Sequence, residues 1–133
     1  MKAKRPLQHD ERLLDRARKL IEHGWCSRAL AEDRLGRHVE PWSVSACRWS
    51  PVGALVNAWY EDGGNRVDVF AAAYLALTLA TGGPADEWSA APWRTAHHVA
   101  RAFIRARSYL PETREPARRA VGTAWLEELG VAS

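Results

Sequence analysis

The amino-acid sequence predicts a mostly α-helical single domain of about five helices, with one short β-hairpin near residues 27–39. Three observations lead to this prediction. Apolar residues recur at helical spacing in several segments, glycines and prolines stand where those segments end, and one segment lacks helical periodicity. A chain of 133 residues has the usual size of one domain and buries about two-thirds of the surface that its unfolded form exposes.

The first helix is expected from about Asp10 to His23. Its apolar residues stand at positions 13, 14, 17, 20 and 21, which form one stripe on a helix. Gly24 is well placed as the C-terminal cap of this helix. Residues 1–9 are basic and are expected to form a flexible arm, so that the helical domain covers residues 10–133.

The segment after Gly24 predicts the hairpin, because it has no helical periodicity. Residues 27–33 alternate weakly, and Arg34-Leu35-Gly36 is typical of a turn with glycine in the left-handed conformation. A two-stranded hairpin is marginally stable on its own, so we expect it to lie against the helices.

The second helix is expected to end near residue 60 or 61, but its start is open to two interpretations. Pro51 is either the first residue of the helix, capped by Ser50, or a kink in a helix that begins near Ser45. Gly53 lies on the apolar face of this helix. Because glycine has no Cβ, another element can approach closely at that point.

The third helix, at about Arg66–Thr81, is apolar on nearly all sides, which is expected of a central buried helix. Gly82-Gly83-Pro84 ends it. Residues 84–94 are then expected to form a loop that contains tryptophan.

Two more helices are predicted after that loop. Thr95 caps a fourth helix, which Pro111 ends. A fifth helix is expected at about Arg114–Leu129, with Pro116 in its first turn. Its predicted buried stripe consists of Ala117, Val121, Ala124, Trp125 and Leu129.

Tryptophan is the unusual feature of the composition, with seven in 133 residues. The ordinary interpretation is that these side chains fill the core, and the alternative is that some of them line a pocket or a protein interface. Trp88 and Trp93 stand in a loop beside Arg94, a residue that binds anions. We therefore predict a small binding or accessory module whose Trp-lined groove takes a small molecule, a peptide or a protein partner.

The charge and the cysteine content point to a cytoplasmic protein. A net charge of +3 and a pI of about 9.2 are mildly basic and do not by themselves indicate nucleic acid. Two cysteines, Cys26 and Cys47, do not make a disulfide framework. No secretory signal is evident, and the longest apolar stretch, Val67–Ala80, is too short to span a membrane, so no membrane partner is expected.

The first alternative function is a small enzyme that needs no metal. Either His97 or His98 would be its acid–base group, with Tyr60, Tyr74 or Asp62 as a helper inside an aromatic pocket. Adjacent helical residues point about 100° apart, so the two histidines do not easily share a metal, and an ordinary surface pair explains them as well. The His-Glu-x-x-His spacing is absent. No metal and no cofactor are therefore predicted.

The second alternative is association with nucleic acid through the Arg-rich C-terminal helices. Arg101 and Arg105 are one turn apart on a predicted helix, and a basic stripe of this kind binds phosphate backbones. An alternative interpretation is that these arginines lie on a solvent-exposed helix face, where glutamates partly balance their charge. Because no recognised DNA- or RNA-binding motif is present, nucleic acid is not the partner that we expect first. The arginines concerned are Arg94, Arg101, Arg105, Arg107, Arg114, Arg118 and Arg119.

Three segments carry a resemblance to a known family. They are a Gly-Trp step that leads into a hairpin (Gly24-Trp25-Cys26-Ser27-Arg28-Ala29-Leu30-Ala31-Glu32-Asp33-Arg34-Leu35-Gly36-Arg37), a helix start (Ala46-Cys47-Arg48-Trp49-Ser50-Pro51-Val52-Gly53-Ala54-Leu55), and a loop before a helix (Trp88-Ser89-Ala90-Ala91-Pro92-Trp93-Arg94-Thr95). Together they resemble a family of small bacterial and phage proteins of unknown function, over about residues 10–110.

The resemblance supports the helical fold and implies no activity. The chain departs from the pattern of that family at two places. Ser50 stands where a cysteine is expected, and Ser89-Ala90 stands where the family usually carries Asn-Asp. Any role that those polar groups have in the family is therefore in doubt here.

Overall fold

The computed structural model describes residues 5–121, and over that range the chain is mostly helical, as predicted. No helix in this range is long and apolar enough to cross a membrane. In chain order the elements are α1 (His9–His23), β1 (Ala31–Glu32), β2 (Arg48–Trp49), α2 (Pro51–Glu61), α3 (Val67–Thr81), α4 (Ala85–Ser89), α5 (Ala96–Ala106), a 3₁₀ helix (Arg107–Tyr109) and α6 (Leu110–Ala120).

Helix α1 covers the predicted segment and buries the predicted stripe. A capping box starts it: Gln8 and Glu11 satisfy each other's backbone N–H groups. Gly24 caps its other end, and the Gly24 N–H donates to the Leu20 carbonyl. The backbone there is extended, with φ −169°, and glycine is required because a Cβ would overlap the Cys47 carbonyl oxygen.

The hairpin turn lies where the sequence predicts it. Gly36 has φ +79°, and Glu32 pairs with His38 across the turn. Asp33 stabilises the turn, because its carboxylate accepts hydrogen bonds from the backbone N–H groups of Leu35 and Arg37, both at 2.9 Å.

The second strand of the sheet lies further along the chain than residues 27–39. Strand β1 pairs antiparallel with β2, with Ala31 opposite Trp49 and Glu32 opposite Arg48. The Trp49 ring is 8% exposed, and its indole N–H donates to the Pro41 carbonyl at 3.0 Å. Burial of this large ring holds β2 on the helical core, whereas the segment after the turn contributes one bridge pair.

Pro51 is the first residue of α2, which settles the two interpretations of the start of this helix. The Ser50 hydroxyl accepts a hydrogen bond from the Gly53 N–H at 3.0 Å, as an N-cap does. The close approach predicted at Gly53 is also present. A Cβ at this position would overlap the carbonyl oxygen of Leu30, so the segment before β1 lies directly on α2.

Helix α3 is the central helix, and it packs against α1, α2, α5 and α6. Phe70 and Leu77 are fully buried, and four alanines on this helix are 0–2% exposed, which lets its neighbours come close. Gly82 ends it in the left-handed conformation, with φ +79°.

Two predictions for the second half of the chain are wrong in detail. The tryptophan-containing loop includes a short helix, α4. Pro111 does not end a helix: Thr95 caps α5 as expected, but after Ala106 the chain continues through the 3₁₀ helix into α6. Pro111 lies in the first turn of α6, where a missing N–H removes no helical hydrogen bond.

Helix α6 therefore begins four residues earlier than predicted, and its buried face changes accordingly. Leu110, Thr113 and Ala117 are buried at the spacing i, i+3, i+7, whereas Val121 is 44% exposed. The Thr113 hydroxyl donates to the Ala72 carbonyl on α3 at 2.9 Å. The remaining predicted members of the stripe, Ala124, Trp125 and Leu129, lie outside the described residues, as does the start of the predicted arm, residues 1–4.

Candidate functional site

The three residues predicted to bind a ligand lie together: Trp88 is in α4, and Trp93 and Arg94 are in the loop that connects α4 to α5. The guanidinium carbon of Arg94 is 3.9 Å from the ring centroid of Trp88 and 5.5 Å from that of Trp93. The Arg94 Nε–H also donates to the Trp88 carbonyl at 3.1 Å. This geometry is a cation–π stack with one anchoring hydrogen bond. We call these three residues the Trp–Arg surface.

The Trp–Arg surface is anchored on one side and open on the other. Trp88 is partly buried and packs against the core, whereas Trp93 is 66% exposed. Within residues 5–121, the terminal nitrogens of Arg94 have no hydrogen-bond partner. None of the four cavities described in this part of the chain is lined by a tryptophan. Between residues 5 and 121 the three residues form a stack at the surface, and the groove predicted from the sequence stays a prediction.

Most of the other described tryptophans pack in or against the core, which is the ordinary interpretation of the tryptophan content. Trp49 belongs to the core, and Trp25, Trp42 and Trp59 are partly buried against it. Trp93 therefore differs from the other tryptophans between residues 5 and 121, because it places most of its ring in solvent.

The two histidines of the enzyme hypothesis lie in the first turn of α5. His98 completes the N-terminal cap: its Nδ1 accepts from the Thr95 N–H at 3.1 Å, and its own N–H donates to the Thr95 hydroxyl. His97 is exposed. The structure thus gives His98 a local structural role.

Two of the proposed helpers lie at the C-terminal end of α2, whereas Tyr74 lies on α3, partly buried against the core. Tyr60 is 52% exposed and stacks on Trp42 with ring centroids 5.3 Å apart. The Asp62 carboxylate lies 3.6 Å from Nδ1 of His9 on α1. Across residues 5–121, no hydrogen bond or ion pair connects Tyr60 or Asp62 to the histidines of α5, so these four candidates do not form one group.

The arginines of the last third are divided among different environments. Arg101 and Arg105 are both exposed on α5, as their spacing predicts. Arg107 instead donates to Glu11 at 2.8 Å, and Arg114 donates to Asp10 through two nitrogens, at 2.7 and 3.0 Å. The predicted basic stripe is therefore interrupted by ion pairs to α1.

A charged cleft between α1, α3 and α6 is absent from the sequence-based predictions. Its volume is about 230 Å³. We call it the α1–α3–α6 cleft. The only sequence signal for it is the spacing of Arg114 and Arg118, which places both on one face of α6. The residues that line it are Gln8, His9, Asp10, Arg66, Asp68, Val69, Ala72, Arg114 and Arg118.

Asp10 and Glu11 are nearly buried carboxylates at the start of α1, and Asp10 lines this cleft. Asp10 is 6% exposed and forms the bidentate pair with Arg114, and this hydrogen bond raises the pKa of Arg114. Glu11 is 5% exposed. Hydrogen bonds from Arg5, from the Gln8 backbone and from Arg107 lower the pKa of Glu11 to about 2. These pairs attach both ends of the described chain to α1.

The two positions where the chain departs from the resembled family lie at one junction. The Ser50 hydroxyl donates to Asp86 at 2.8 Å, and the Val52 N–H donates to the same carboxylate at 2.9 Å. The Ser89 hydroxyl, fully buried, donates to the backbone carbonyl of Asp86 at 3.0 Å. Burial raises the pKa of Asp86. These contacts join α4 to the start of α2, which gives both serines a structural role.

Comparison with known proteins supports the resemblance and adds no activity. Residues 5–109 match a family of unknown function, DUF6197. No curated protein and no solved structure matches the chain. The matched range contains the Trp–Arg surface and stops before α6, the helix that supplies Arg114 and Arg118 to the cleft.

Proposed function

We propose that this chain, which belongs to the DUF6197 family, is a binding module that captures a protein or peptide partner on the Trp–Arg surface. The exposure of Trp93 carries the proposal. Its ring is 66% exposed, and the neighbouring Arg94 is held in a fixed orientation against Trp88. Tryptophan and arginine are the residue types that contribute most to the binding energy of protein interfaces.

The shape of the surface favours a macromolecular partner over a small molecule. Small molecules bind in concave sites that cover most of their area. The four cavities described between residues 5 and 121 include none of Trp88, Trp93 and Arg94. A partner that brings its own concave or flat surface can cover Trp93, whereas an isolated small ligand would leave much of the ring in water.

The chemistry of the surface defines what the partner presents. An apolar side chain that covers Trp93 removes its ring from water, which contributes about 2 kcal/mol at an interface centre. The terminal nitrogens of Arg94 donate to a carbonyl or carboxylate of the partner. The stack on Trp88 holds the arginine in place before binding, so less side-chain entropy is lost on association.

A peptide selection tests the proposal without a known partner. Peptides from a random library are selected on the immobilised full chain, and each selected peptide is then tested on Trp93→Ala and Arg94→Gln. The matched control is Leu35→Ala, which removes an apolar side chain that is 76% exposed elsewhere. The proposal expects peptides that lose binding with both variants and keep it with the control. Peptides that bind all variants equally, or a selection that yields none, would contradict it.

We also place this module in a reducing compartment such as the cytoplasm. Cys26 and Cys47 are both free in the described structure. Burial raises the pKa of the Cys26 thiol to about 11, which keeps it protonated and unreactive. Unpaired thiols of this kind are typical of proteins that are kept reduced.

A further inference from the structure

We propose that the α1–α3–α6 cleft is a second binding site, which takes the terminal phosphoryl group of a small soluble molecule or inorganic phosphate itself. The cleft shares no residue with the Trp–Arg surface, so the two proposals stand or fall separately. Its volume of about 230 Å³ lies below the range of about 300–1,000 Å³ that is typical of sites for drug-sized ligands. A site of this size accommodates one compact charged group.

The arginines that line the cleft have donors to spare. Arg66 contacts Asp68 through Nε and Nη2, both at 3.2 Å, and Arg114 contacts Asp10 through the same two nitrogens. A guanidinium has five N–H groups, so each of these arginines retains three. Arg118 makes no hydrogen bond or ion pair with any residue from 5 to 121.

Two helices begin at the cleft, and their dipoles add to the positive potential. The N-terminal residues of α1 and α3 both line it, and each helix is 15 residues long. Some of the first N–H groups are already partnered: α1 begins with a capping box, and the Val69 N–H of α3 donates to the Arg66 carbonyl at 3.1 Å. What the two helix starts supply is therefore mainly the positive end of each helix dipole, which favours an anion.

The charge and the direction of the donors select a phosphoryl group. Among the lining residues, three arginines face two aspartates, which leaves one formal positive charge. The two aspartates are bound by guanidinium groups, which reduces their repulsion of an incoming anion. The guanidinium donors come from the start of α3 and from two positions on α6, and a tetrahedral phosphoryl group offers three terminal oxygens in three directions. A planar carboxylate offers two oxygens in one plane.

Titration of the full chain with inorganic phosphate tests the site. Ionic strength is held constant with sodium chloride, and the backbone amide signals of Val69 and Ala72 are followed by NMR. We expect saturable shifts at both amides. Acetate and dimethyl phosphate are the comparison probes, because they represent a carboxylate and the diester of lipids and nucleic acids. Both are expected to bind at least tenfold more weakly than phosphate.

Three variants separate a phosphate site from a structural ion-pair cluster. Arg118→Gln removes the arginine that has no partner among residues 5–121 and is expected to weaken phosphate binding about tenfold. Arg119→Gln makes the same charge change one residue away, outside the lining, and is expected to leave the affinity within twofold. Asp68→Asn frees Arg66 and removes a negative charge, so it is expected to strengthen binding.

Each outcome decides the proposal. Tighter binding by Asp68→Asn together with weaker binding by Arg118→Gln supports it, because a purely structural cluster would not respond in opposite directions. Equal effects of Arg118→Gln and Arg119→Gln would show non-specific charge screening and would overturn it. The proposal is also overturned by linear, non-saturating shifts, or by acetate or dimethyl phosphate binding as tightly as phosphate. Asp68 and Arg118 are partly or largely exposed, and circular dichroism verifies that each variant is folded.

Discussion

The Trp–Arg surface and the α1–α3–α6 cleft differ in how far apart in the chain their contacting residues lie. Arg94 and Trp88 are six positions apart, on the loop after α4 and on α4 itself. Arg114 and Asp10 are 104 positions apart and meet only when α6 has packed beside α1. A site built from neighbours in sequence is visible as a local pattern, whereas a site built by tertiary packing is not.

The two regions also differ in what their arginines contribute to stability. Arg94 lies on the ring of Trp88 near the surface, where a cation–π contact contributes about 0.5–1 kcal/mol. Arg114 neutralises Asp10, a carboxylate that is 6% exposed. Loss of one partner from a buried pair leaves an uncompensated charge. We therefore expect loss of Arg114 to alter folding and loss of Trp93 or Arg94 to alter binding.

The largest effect is expected from Arg114→Met. The substitution keeps much of the side-chain bulk but leaves Asp10 buried without its partner, so the free energy of unfolding falls by about 3 kcal/mol. Urea denaturation followed by far-UV circular dichroism measures it. Arg119→Met, at a neighbouring exposed position, is the control and changes stability by less than about 0.5 kcal/mol. A loss below about 1 kcal/mol for Arg114→Met would remove the contrast between the two regions.

A second effect is expected in acid, because the folded state lowers the pKa of Glu11 from 4.5 to about 2. The stabilisation is complete above the unfolded pKa and is lost as the pH falls from about 4.5 to about 2. Its size is on the order of 2 kcal/mol, since the mostly exposed Arg5 is screened by solvent. Urea midpoints at a series of pH values measure this slope. Glu11→Gln is expected to flatten it, and an unchanged slope would contradict the assignment to Glu11.

A smaller effect is expected from Thr113→Val, which keeps the shape of the side chain and removes the hydroxyl that donates to the Ala72 carbonyl. Loss of this buried hydrogen bond between α6 and α3 lowers the free energy of unfolding by about 1 kcal/mol. Thermal and urea denaturation both measure the change. Thr95→Val offers a comparison at an exposed helix cap, where the expected loss is also about 1 kcal/mol. A Thr113→Val protein as stable as the wild type would show that this hydrogen bond does not contribute to holding α6 on α3.

Local sequence patterns were sufficient for the elements that depend on neighbouring residues. The stripe of α1, the Gly36 turn and the close approach at Gly53 all follow from the chemistry of single positions or of one helical period. The proximity of Trp88 and Arg94 belongs to the same class, because the end of α4 and the short loop after it bring them together.

Features that depend on distant partners were missed or misplaced. The partner of β1 is β2, which the burial of Trp49 selects over the residues that follow the turn. The sequence predicts that Pro111 ends a helix, but proline is equally suited to the first turn of a helix. The packing of Leu110 and Thr113 on α3 places Pro111 in the first turn of α6. The α1–α3–α6 cleft depends on that same packing.

The smallest effect on stability, and the most direct test of the Trp–Arg surface, is expected from Trp93→Ala. The ring is 66% exposed, so its removal should change the free energy of unfolding by less than about 0.5 kcal/mol. The decisive measurement is the dissociation constant, by isothermal titration calorimetry, of a peptide selected on the wild-type chain. A binding surface predicts that Trp93→Ala raises this constant at least about tenfold while stability is unchanged. An unchanged constant for Trp93→Ala would contradict the proposed function.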